Sequence, residues 1–343
     1  MNLATNQSQR VFTLPVPGGS MMNSRGITTN DAAIGSGMTF LIGELEKRDP
    51  RLLEPLQSVT WTRDIVAKTG GGWVDFTSNT FVDYATTGGN ESGIIGGETN
   101  DIPIMQADVS KDVYKVFSFA NILKVPFVDQ AKLQNIGRSL DDILDKGIRL
   151  NYNKSIDNLV YTGLPSMGVY GLVNNPNVVT SAAPNGASGK ADWSSKTPDE
   201  ILDDINTLIV ETWTASEYDL TGMANHILVP PQQYAYLVGR KVSEAGNISI
   251  LKYLEENNIA RNQGVELVIV PSRWCTAAGT GSKDRMVAYV NEEDRINFDL
   301  PVPLIRVMTQ PQVTEMAYLT AYAAQLGQVK VLYNSCIRYM DGI

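Results

Sequence analysis

The sequence has few of the residues on which catalysis and metal binding usually depend. Its 343 residues include one histidine, His226, and two cysteines, Cys275 and Cys336. A Ser-His-Asp or Cys-His site would have to use His226, yet this residue opens an apolar run and no local motif supplies a nucleophile. The three residues lack the paired spacing of zinc ligands, while a disulfide between the cysteines stays open. The sequence therefore predicts no catalytic residue, no metal site and no cofactor.

Two segments have only a superficial likeness to ligand-binding loops. Gly186-Ala187-Ser188-Gly189-Lys190-Ala191 lacks the early glycine and the final Ser or Thr of a phosphate loop. Glu292-Glu293-Asp294 lacks the Asp/Asn alternation and the glycine of a calcium loop, and we interpret it as a solvated turn.

Long apolar runs and a basic excess are also missing. No run approaches the roughly 20 residues of a membrane-spanning helix, and the N-terminus lacks the pattern of a signal peptide. We therefore expect a soluble protein made in the cytoplasm. The net charge of −9 argues against a nucleic-acid reader, because such proteins need a basic face to meet the phosphates.

Between Lys68 and Lys111 there is no lysine, arginine or histidine, but there are six carboxylates and 8 of the chain's 29 glycines. Such a segment has too few large apolar groups to form a core of its own, and ordering its glycines is costly. Its flanks, Val59–Val66 and Ile102–Phe119, have the alternation of strands. The pattern favours a long projecting β-hairpin that becomes ordered against another molecule. A mobile surface loop without function is the alternative.

The remaining chain alternates helical and extended patterns. Residues 1–37 form a polar arm, and a short helix is expected from Met38 to Lys47. Apolar residues at helical spacing predict one long helix from an N-cap at Asp129 to Tyr161, or two shorter helices broken near Gly147. The favourable i,i+4 pairs Asp142/Lys146 and Asp145/Arg149 support it.

A compact α/β lobe follows. Thr197-Pro198-Asp199-Glu200 is a capping box with proline at the first helical position. The further predicted elements are a strand at 226–229, a helix from Pro231, a helix at 249–259, a strand at 266–270, and a pair of strands at 285–290 and 295–298. At the C-terminus, alternation predicts a long strand from Val329 to Tyr339, paired with Val313–Ala324 through a turn near Gly327.

This order of elements resembles the major capsid protein of tailed bacteriophages, whose fold encapsulins share. The resemblance covers nearly the whole chain, and each string that carries it is weak alone. They are Phe40-Leu41-Ile42-Gly43-Glu44-Leu45-Glu46, Asp157-Asn158-Leu159-Val160-Tyr161-Thr162-Gly163, Gly168-Val169-Tyr170-Gly171-Leu172-Val173-Asn174-Asn175-Pro176, Ile227-Leu228-Val229-Pro230-Pro231 and Ser249-Ile250-Leu251-Lys252-Tyr253-Leu254.

The resemblance implies an α+β fold with an N-terminal arm, an extended hairpin loop, a peripheral domain with a long spine helix, and an axial domain. The implied divisions are the arm (1–37), the start of the peripheral domain (38–56), the extended loop (57–124), the peripheral domain with the spine helix (125–170), the axial domain (171–307) and the C-terminal peripheral strands (308–343). The hairpin would lie across a neighbouring subunit. Its acids Asp83, Glu91 and Glu98 would there meet basic groups such as Lys132, Arg138 or Arg149.

The function implied is self-assembly into pentamers and hexamers of an icosahedral shell around double-stranded DNA, without catalysis, in a virion assembled in the host cytoplasm. The short arm, whose only charged residues are Arg10, Arg25 and Asp31, predicts a separate scaffolding protein or none. A portal and a decoration protein are further expected partners, and no membrane is. An encapsulin-like compartment is one alternative, and a soluble α+β enzyme with a hairpin lid is the other.

Overall fold

The computed structural model describes residues 58–87, 102–135, 139–243 and 247–343. The predicted arm, the helix at Met38–Lys47 and the hairpin tip lie outside the described residues. The helices are α1 (Trp61–Asp64), α2 (Phe127–Asn135), α3 (Leu140–Tyr161), α4 (Pro198–Ala215), α5 (Pro231–Gly239), α6 (Ile250–Asn257) and α7 (Ile259–Asn262). Single 3-10 turns occur at Pro165–Met167, Trp193–Ser195, Leu220–Gly222, Arg273–Cys275, Val313–Glu315 and Asn334–Cys336.

Fifteen strands lie in the described residues. They are β1 (Val66–Thr69), β2 (Phe76–Thr87), β3 (Ile104–Lys115), β4 (Phe117–Pro126), β5 (Gly163–Leu164), β6 (Val169–Tyr170), β7 (Thr180–Ala182), β8 (His226–Val229), β9 (Val268–Pro271), β10 (Arg285–Tyr289), β11 (Ile296–Leu300), β12 (Val302–Gln312), β13 (Ala317–Leu326), β14 (Val329–Val331) and β15 (Ile337–Asp341). Strands and helices are mixed along the chain, as the predicted α+β class requires.

The lobe confirms the predicted helices and strands closely. The capping box at α4 is present, with Thr197 accepting from the N–H of Glu200 and the Glu200 carboxylate accepting from the N–H of Thr197. A five-stranded sheet in the order β7-β15-β10-β8-β9 lies at its centre. Apolar residues of α4, β8 and β10 pack together into one buried core, which includes Ile205, Leu208 and Ile227. The predicted strand pair at 285–290 and 295–298 exists as β10 and β11, which belong to different sheets.

The predicted long helix from Asp129 to Tyr161 is two helices. α2 begins at Phe127 and ends at Asn135, and α3 begins at Leu140. Ser139 is the N-cap of α3, since its Oγ accepts the N–H of Asp142 at 3.3 Å. A helix with its own capped start is not a continuation. The prediction of one continuous helix was therefore wrong, and the alternative break near Gly147 was wrong too, because Gly147 lies inside α3.

The C-terminal strands pair differently from the prediction. β13 lies between β12 and β4, with Thr320 opposite Leu123 and also opposite Thr309. The predicted strand from Val329 to Tyr339 is interrupted by a 3-10 turn at Asn334–Cys336. Its first part, β14, pairs with β11, and its second part, β15, pairs with β10 and β7 of the lobe. The predicted pairing of Val313–Ala324 with this segment was thus wrong.

The segment predicted as a strand at Val59–Val66 contains the short helix α1 instead. Asp157 of α3 accepts the backbone N–H groups of Thr60 and Trp61 at 3.0 and 3.2 Å, as an N-cap residue would. The apolar alternation of this segment is satisfied within a helical turn, with Trp61 and Ile65 both buried. The predicted strand was therefore wrong except at its last residue, Val66, where β1 begins and pairs with β11.

Within the described residues, no helix is both long and apolar enough to cross a membrane. The thiols of Cys275 and Cys336 are buried and unpaired.

Candidate assembly interface

The two longest paired strands, β2 and β3, form a hairpin in the predicted region. Its second leg is the predicted one, but its first leg is β2 and not the predicted Val59–Val66. They pair antiparallel from Phe76 opposite Lys115 to Thr87 opposite Ile104, and they form a sheet of two strands only. Side chains directly opposite one another lie on the same face of such a ribbon. We call the face that carries Phe76, Val82, Tyr84, Met105, Val109 and Val113 the outer face. Each of these six large apolar side chains is exposed, and Tyr84 is 73% exposed.

The inner face of the hairpin carries the other half of the residues, and its three carboxylates lie among polar side chains and the larger Phe81, Tyr114 and Ile104. Asp83 lies directly opposite Asp108, and Asp112 lies opposite Asn79. Like charges opposite one another destabilise a strand pair. Neither Asp83 nor Asp108 forms an ion pair with any of the described residues. The inner face is therefore suited to a cation that another chain provides.

Several contacts hold the root of the hairpin to the rest of the chain, among them a hydrogen bond from the ammonium of Lys115 to the carbonyl of Met167 at 3.4 Å. Gln325 of β13 donates to the carbonyl of Val74 and accepts its N–H, both at 3.0 Å. Lys330 of β14 places its ammonium 3.5 Å from Oδ1 of Asn79 and 4.9 Å from the ring centre of Tyr114. These few polar contacts near the root therefore fix the orientation of the hairpin relative to β13 and β14.

Aromatic packing adds a further contact. The rings of Phe81 and Tyr333 meet edge to face with centroids 6.1 Å apart. Farther along the hairpin, the described parts of both strands have no hydrogen bond or ring contact to the rest of the described chain. Two-stranded ribbons are marginally stable alone in water. The distal part is thus an unsupported ribbon with an apolar outer face.

The layer between the hairpin root and the body is charged and buried. Lys330 is 3% exposed and forms an ion pair with Asp299 of β11, which is also buried. Oγ1 of Thr77 and Oδ1 of Asn297 are buried here without a hydrogen-bond partner among the described residues. Buried polar atoms without partners are costly, so this layer holds the hairpin less firmly than an apolar core would.

A second exposed apolar surface lies at the turn between β12 and β13. Its groove of about 300 Å³ is lined by Phe127, Pro311, Gln312, Val313, Met316, Ala317 and Tyr318. Val313 is 86% exposed, and Met316 has a φ of 44°, in the left-handed region. Sequence reasoning missed this surface because it placed Val313 within a paired strand. The sequence signal for this surface was an apolar valine, Val313, two residues after Pro311 and beside the turn.

The structure places three of the six predicted contact residues. Asp83 is on the hairpin, while Lys132 of α2 and Arg149 of α3 pair with Asp129 (3.7 Å) and Asp145 (2.9 Å) of their own helices. The second of these is the predicted i,i+4 pair. Glu91, Glu98 and Arg138 lie outside the described residues. The structure forms no pair between Asp83 and Lys132 or Arg149 within one chain.

His226 lies in a buried junction rather than in a cleft. It is 5% exposed, and its Nε2 is 3.6 Å from Oδ1 of Asp64. Burial raises the pKa of Asp64, but the contacts with His226, Arg63 and Tyr161 outweigh burial and leave that pKa below its ordinary value. The hydroxyl of Tyr289 donates to the backbone carbonyl of Asp64. This arrangement joins α1, α3 and the lobe.

Comparison with known proteins gives these surfaces a context. The profile of the family described as major capsid protein matches residues 90–343. The chain belongs to the major capsid protein family. The match begins within the hairpin segment and includes the spine helix, the lobe and all the C-terminal strands.

Solved structures agree with this assignment at the level of the fold. The capsid of Myoviridae phage XM1 superposes with a TM-score of 0.72 at 17% identity, covering 88% of this chain and 98% of that chain. Microbacterium phage Oxtober96 gives 0.58 at 12% identity, with 88% and 98% covered. The capsid of the native GTA particle gives 0.59 at 11% identity, with 91% and 98% covered. A search of curated proteins found no match.

This capsid protein thus has the predicted tailed-phage fold, and its function is that of its family, the building of a capsid shell. In that context the exposed outer face of the hairpin is its main candidate assembly interface.

Proposed function

We propose that this chain assembles into pentamers and hexamers of an icosahedral shell around double-stranded DNA, and that each hairpin lies with its outer face on a neighbouring copy. The observation that carries the proposal is the row of six exposed apolar side chains on an otherwise unsupported ribbon. Large exposed apolar patches mark interaction surfaces, and a two-stranded ribbon needs a further layer to be stable.

The expected free energy of one hairpin contact suits an assembly built from many weak contacts. Burying one large apolar side chain contributes about 1.5–3 kcal/mol. Six such side chains give a gross gain of at most roughly 9–18 kcal/mol by that measure, and a large part is lost to the ordering and association costs of binding. One hairpin contact is then weak alone, whereas a closed shell sums many of them.

The acids of the hairpin provide the second part of the proposal. Asp83, with Glu91 and Glu98, meets basic groups of a neighbouring copy such as Lys132, Arg138 and Arg149. Support comes from Asp83, which lies opposite Asp108 and has no cation partner among the described residues. Reversing the charge at Asp83, Glu91 and Glu98 should weaken assembly most at low salt, where screening is least. Shells that formed normally at every salt concentration would contradict this pairing.

The domain division that the sequence implies is part of the same proposal. The axial domain would comprise 171–307, and the peripheral domain would comprise 38–56, 125–170 and 308–343, with 57–124 as the extended loop and 1–37 as the arm. Two observations modify the picture. β12 crosses the boundary at 307, and β15 lies in the sheet of the lobe.

The proposed shell also implies partner proteins and a cellular location for its assembly. We propose a separate scaffolding protein, a portal and possible docking of a decoration protein, with assembly in the host cytoplasm. The acidic balance of the chain suits an enclosed genome that must later leave, because weak binding lets the DNA slide. A catalytic role is not part of the proposal, since His226 is buried in a structural junction.

The test is the mass of the purified protein at near-physiological salt, by light scattering with negative-stain imaging of the same sample. Wild type should form rings of five or six, or closed shells. Val82→Ser with Val109→Ser should weaken assembly, because these opposite residues lie on the outer face, whereas Val82→Ile with Val109→Ile should preserve it. Equal assembly by both variants would contradict the outer-face contact. Co-purifying cargo protein instead of DNA would favour a compartment.

A further inference from the structure

A polar cleft lies between the root of the hairpin and the lobe. Its volume is about 680 Å³. One wall is the β2 segment from Ser78 to Phe81, and the opposite wall is formed by lobe residues and the segment after β14. The lining consists of Lys68, Ser78, Asn79, Thr80, Phe81, Thr221, Glu292, Glu293, Asp294, Arg295, Asn297, Leu332 and Tyr333. The acidic part of this lining, Glu292-Glu293-Asp294, is the segment that the sequence predicts as a solvated turn.

Carboxylates outnumber cations in the cleft. The ammonium of Lys68 is 3.5 Å from the carboxylate of Glu293. The guanidinium of Arg295 donates to Oγ1 of Thr221 at 2.7 Å and lies over the ring of Tyr333. Glu292 and Asp294 have no cation partner among the described residues. Two exposed carboxylates therefore remain to attract a positive group.

Asn297 gives an independent indication of a ligand. It is 2% exposed and lies at the cleft wall. Its Nδ2 donates to the carbonyl of Glu293 at 2.7 Å, which fixes the amide, while its Oδ1 is buried without a donor within the described chain. An unsatisfied buried acceptor costs about 1–3 kcal/mol. The cleft thus combines free carboxylates with an amide oxygen that needs a donor.

We propose that this cleft binds an arginine-bearing segment of a separate, basic protein. A guanidinium has five N–H donors and no acceptor, so it fits a lining in which two carboxylates and the Oδ1 of Asn297 lack donors among the described residues. Its planar fork also pairs with carboxylates in two-pronged geometry. A phosphate or another anion would be repelled by Glu292 and Asp294.

The charge of the chain favours a separate protein over a second copy. The chain carries nine more acidic than basic residues. Most of the arginines that the structure describes already pair with carboxylates of their own chain. These are Arg63, Arg149, Arg273, Arg285, Arg295 and Arg306. Within the part of the chain that the structure describes, a second copy would thus offer mostly arginines that already pair with carboxylates, and it would bring further acids with it.

Binding there would have a mechanical consequence. Because β2 forms one wall and the lobe forms the other, a bound segment would bridge the two and fix the angle of the hairpin. The partner would therefore influence when the outer face can dock. The binding itself needs one chain only, so it can be measured apart from shell formation.

The test uses the full chain and two labelled hexapeptides in fluorescence anisotropy. One is acetyl-(Ala-Arg)₃-amide, and the other replaces arginine by citrulline, a neutral isostere. The arginine peptide should bind, and the citrulline peptide should not. Glu292→Gln with Asp294→Asn should weaken binding about tenfold or more, since hydrogen bonds to charged groups are the strong ones. Both positions are exposed, so the fold should tolerate the change.

Two further variants distinguish binding in the cleft from non-specific attraction of the peptide to the acidic surface of the protein. Glu256→Gln with Glu266→Gln removes the same charge from exposed sites outside the cleft and should leave binding unchanged. Asn297→Leu removes the buried acceptor and should weaken binding several-fold. Equal binding of the citrulline peptide, no binding at all, or equal losses in both carboxylate variants would overturn the proposal. Shell formation by the same variants would be read separately, by light scattering.

Discussion

The carboxylate of Asp157 accepts the backbone N–H of Trp61 at 3.2 Å, although 96 residues separate them in the chain. The same carboxylate accepts the indole N–H of Trp274 at 3.0 Å and a guanidinium N–H of Arg273 at 3.1 Å. Asp157 itself is fully buried. One side chain of the spine helix α3 therefore connects the segment that leads into the hairpin with the lobe.

The first prediction concerns this connection. Asp157→Ala should lower the free energy of unfolding by about 3 kcal/mol, because it leaves buried donors of Trp61 and Trp274 without acceptors. Denaturant unfolding of the unassembled protein measures the loss. The control is Glu256→Ala, which breaks the exposed pair with Lys252 and should cost under about 1 kcal/mol. Similar losses in both variants would show that Asp157 has no special role.

This connection also explains why α1 could not be predicted. The segment Val59–Val66 has the alternation of a strand, and local pattern is all that a single sequence offers there. The cap that makes it a helix comes from Asp157, far along the chain. The same limit applies to β13, whose partner β4 lies roughly 200 residues earlier in the sequence. Pairing over such distances leaves no local signal.

Elements were, in contrast, predicted correctly where the residues that determine them lie close together in the sequence. The capping box at Thr197 and Glu200 predicts the start of α4, and the structure confirms it. The absence of cations between Lys68 and Lys111 predicts the hairpin, because such a segment cannot form its own core. Which face of the hairpin is apolar depends on the register of β2 against β3, and this was not predicted from the sequence.

The second prediction compares two glycines of the spine region. Gly147 lies in α3, and a Cβ there would meet no atom within 4 Å. Gly147→Ala should stabilise the protein by about 1 kcal/mol through helix propensity. At Gly171 a Cβ would lie 2.3 Å from backbone atoms of Tyr161, so Gly171→Ala should destabilise by about 3 kcal/mol. Thermal unfolding of both variants in the same buffer checks that the two changes in stability have opposite signs.

The third prediction is a pH dependence at the buried pair of Lys196 and Asp204, whose charged groups are 2.5 Å apart. Burial raises the pKa of Asp204 above its ordinary value despite the opposing effect of Lys196. An acid whose pKa is raised by folding costs stability as pH increases from its unfolded pKa through its folded pKa. Lys196→Met should raise the pKa of Asp204 further and extend this cost to higher pH.

Unfolding of wild type and Lys196→Met should therefore differ more at about pH 7.5 than at about pH 5.5. At the higher pH the loss should be about 3–5 kcal/mol, the cost of leaving one buried charge unpaired. Lys252→Met, at an exposed pair, serves as the control and should show little change at either pH. A loss that is independent of pH would contradict the burial of an ionised Asp204.

The last prediction concerns the angle of the hairpin. Lys330 contacts Asn79 and Tyr114 on the hairpin and pairs with Asp299 beneath it. Lys330→Met removes all three contacts and should cost about 3–5 kcal/mol, because Asp299 stays buried and charged. It should also speed trypsin cleavage after Lys111 and Lys115, since cleavage within a paired strand requires local opening.

Adding Asp299→Leu to Lys330→Met separates the two effects. The double variant leaves no buried charge, so stability should return to within about 1–2 kcal/mol of wild type. The hairpin contacts of Lys330 with Asn79 and Tyr114 would still be missing, so cleavage after Lys111 should stay fast. If cleavage became as slow as in wild type, Lys330 would serve only to neutralise Asp299. Fast cleavage at regained stability would instead identify Lys330 as the residue that holds the hairpin at its angle.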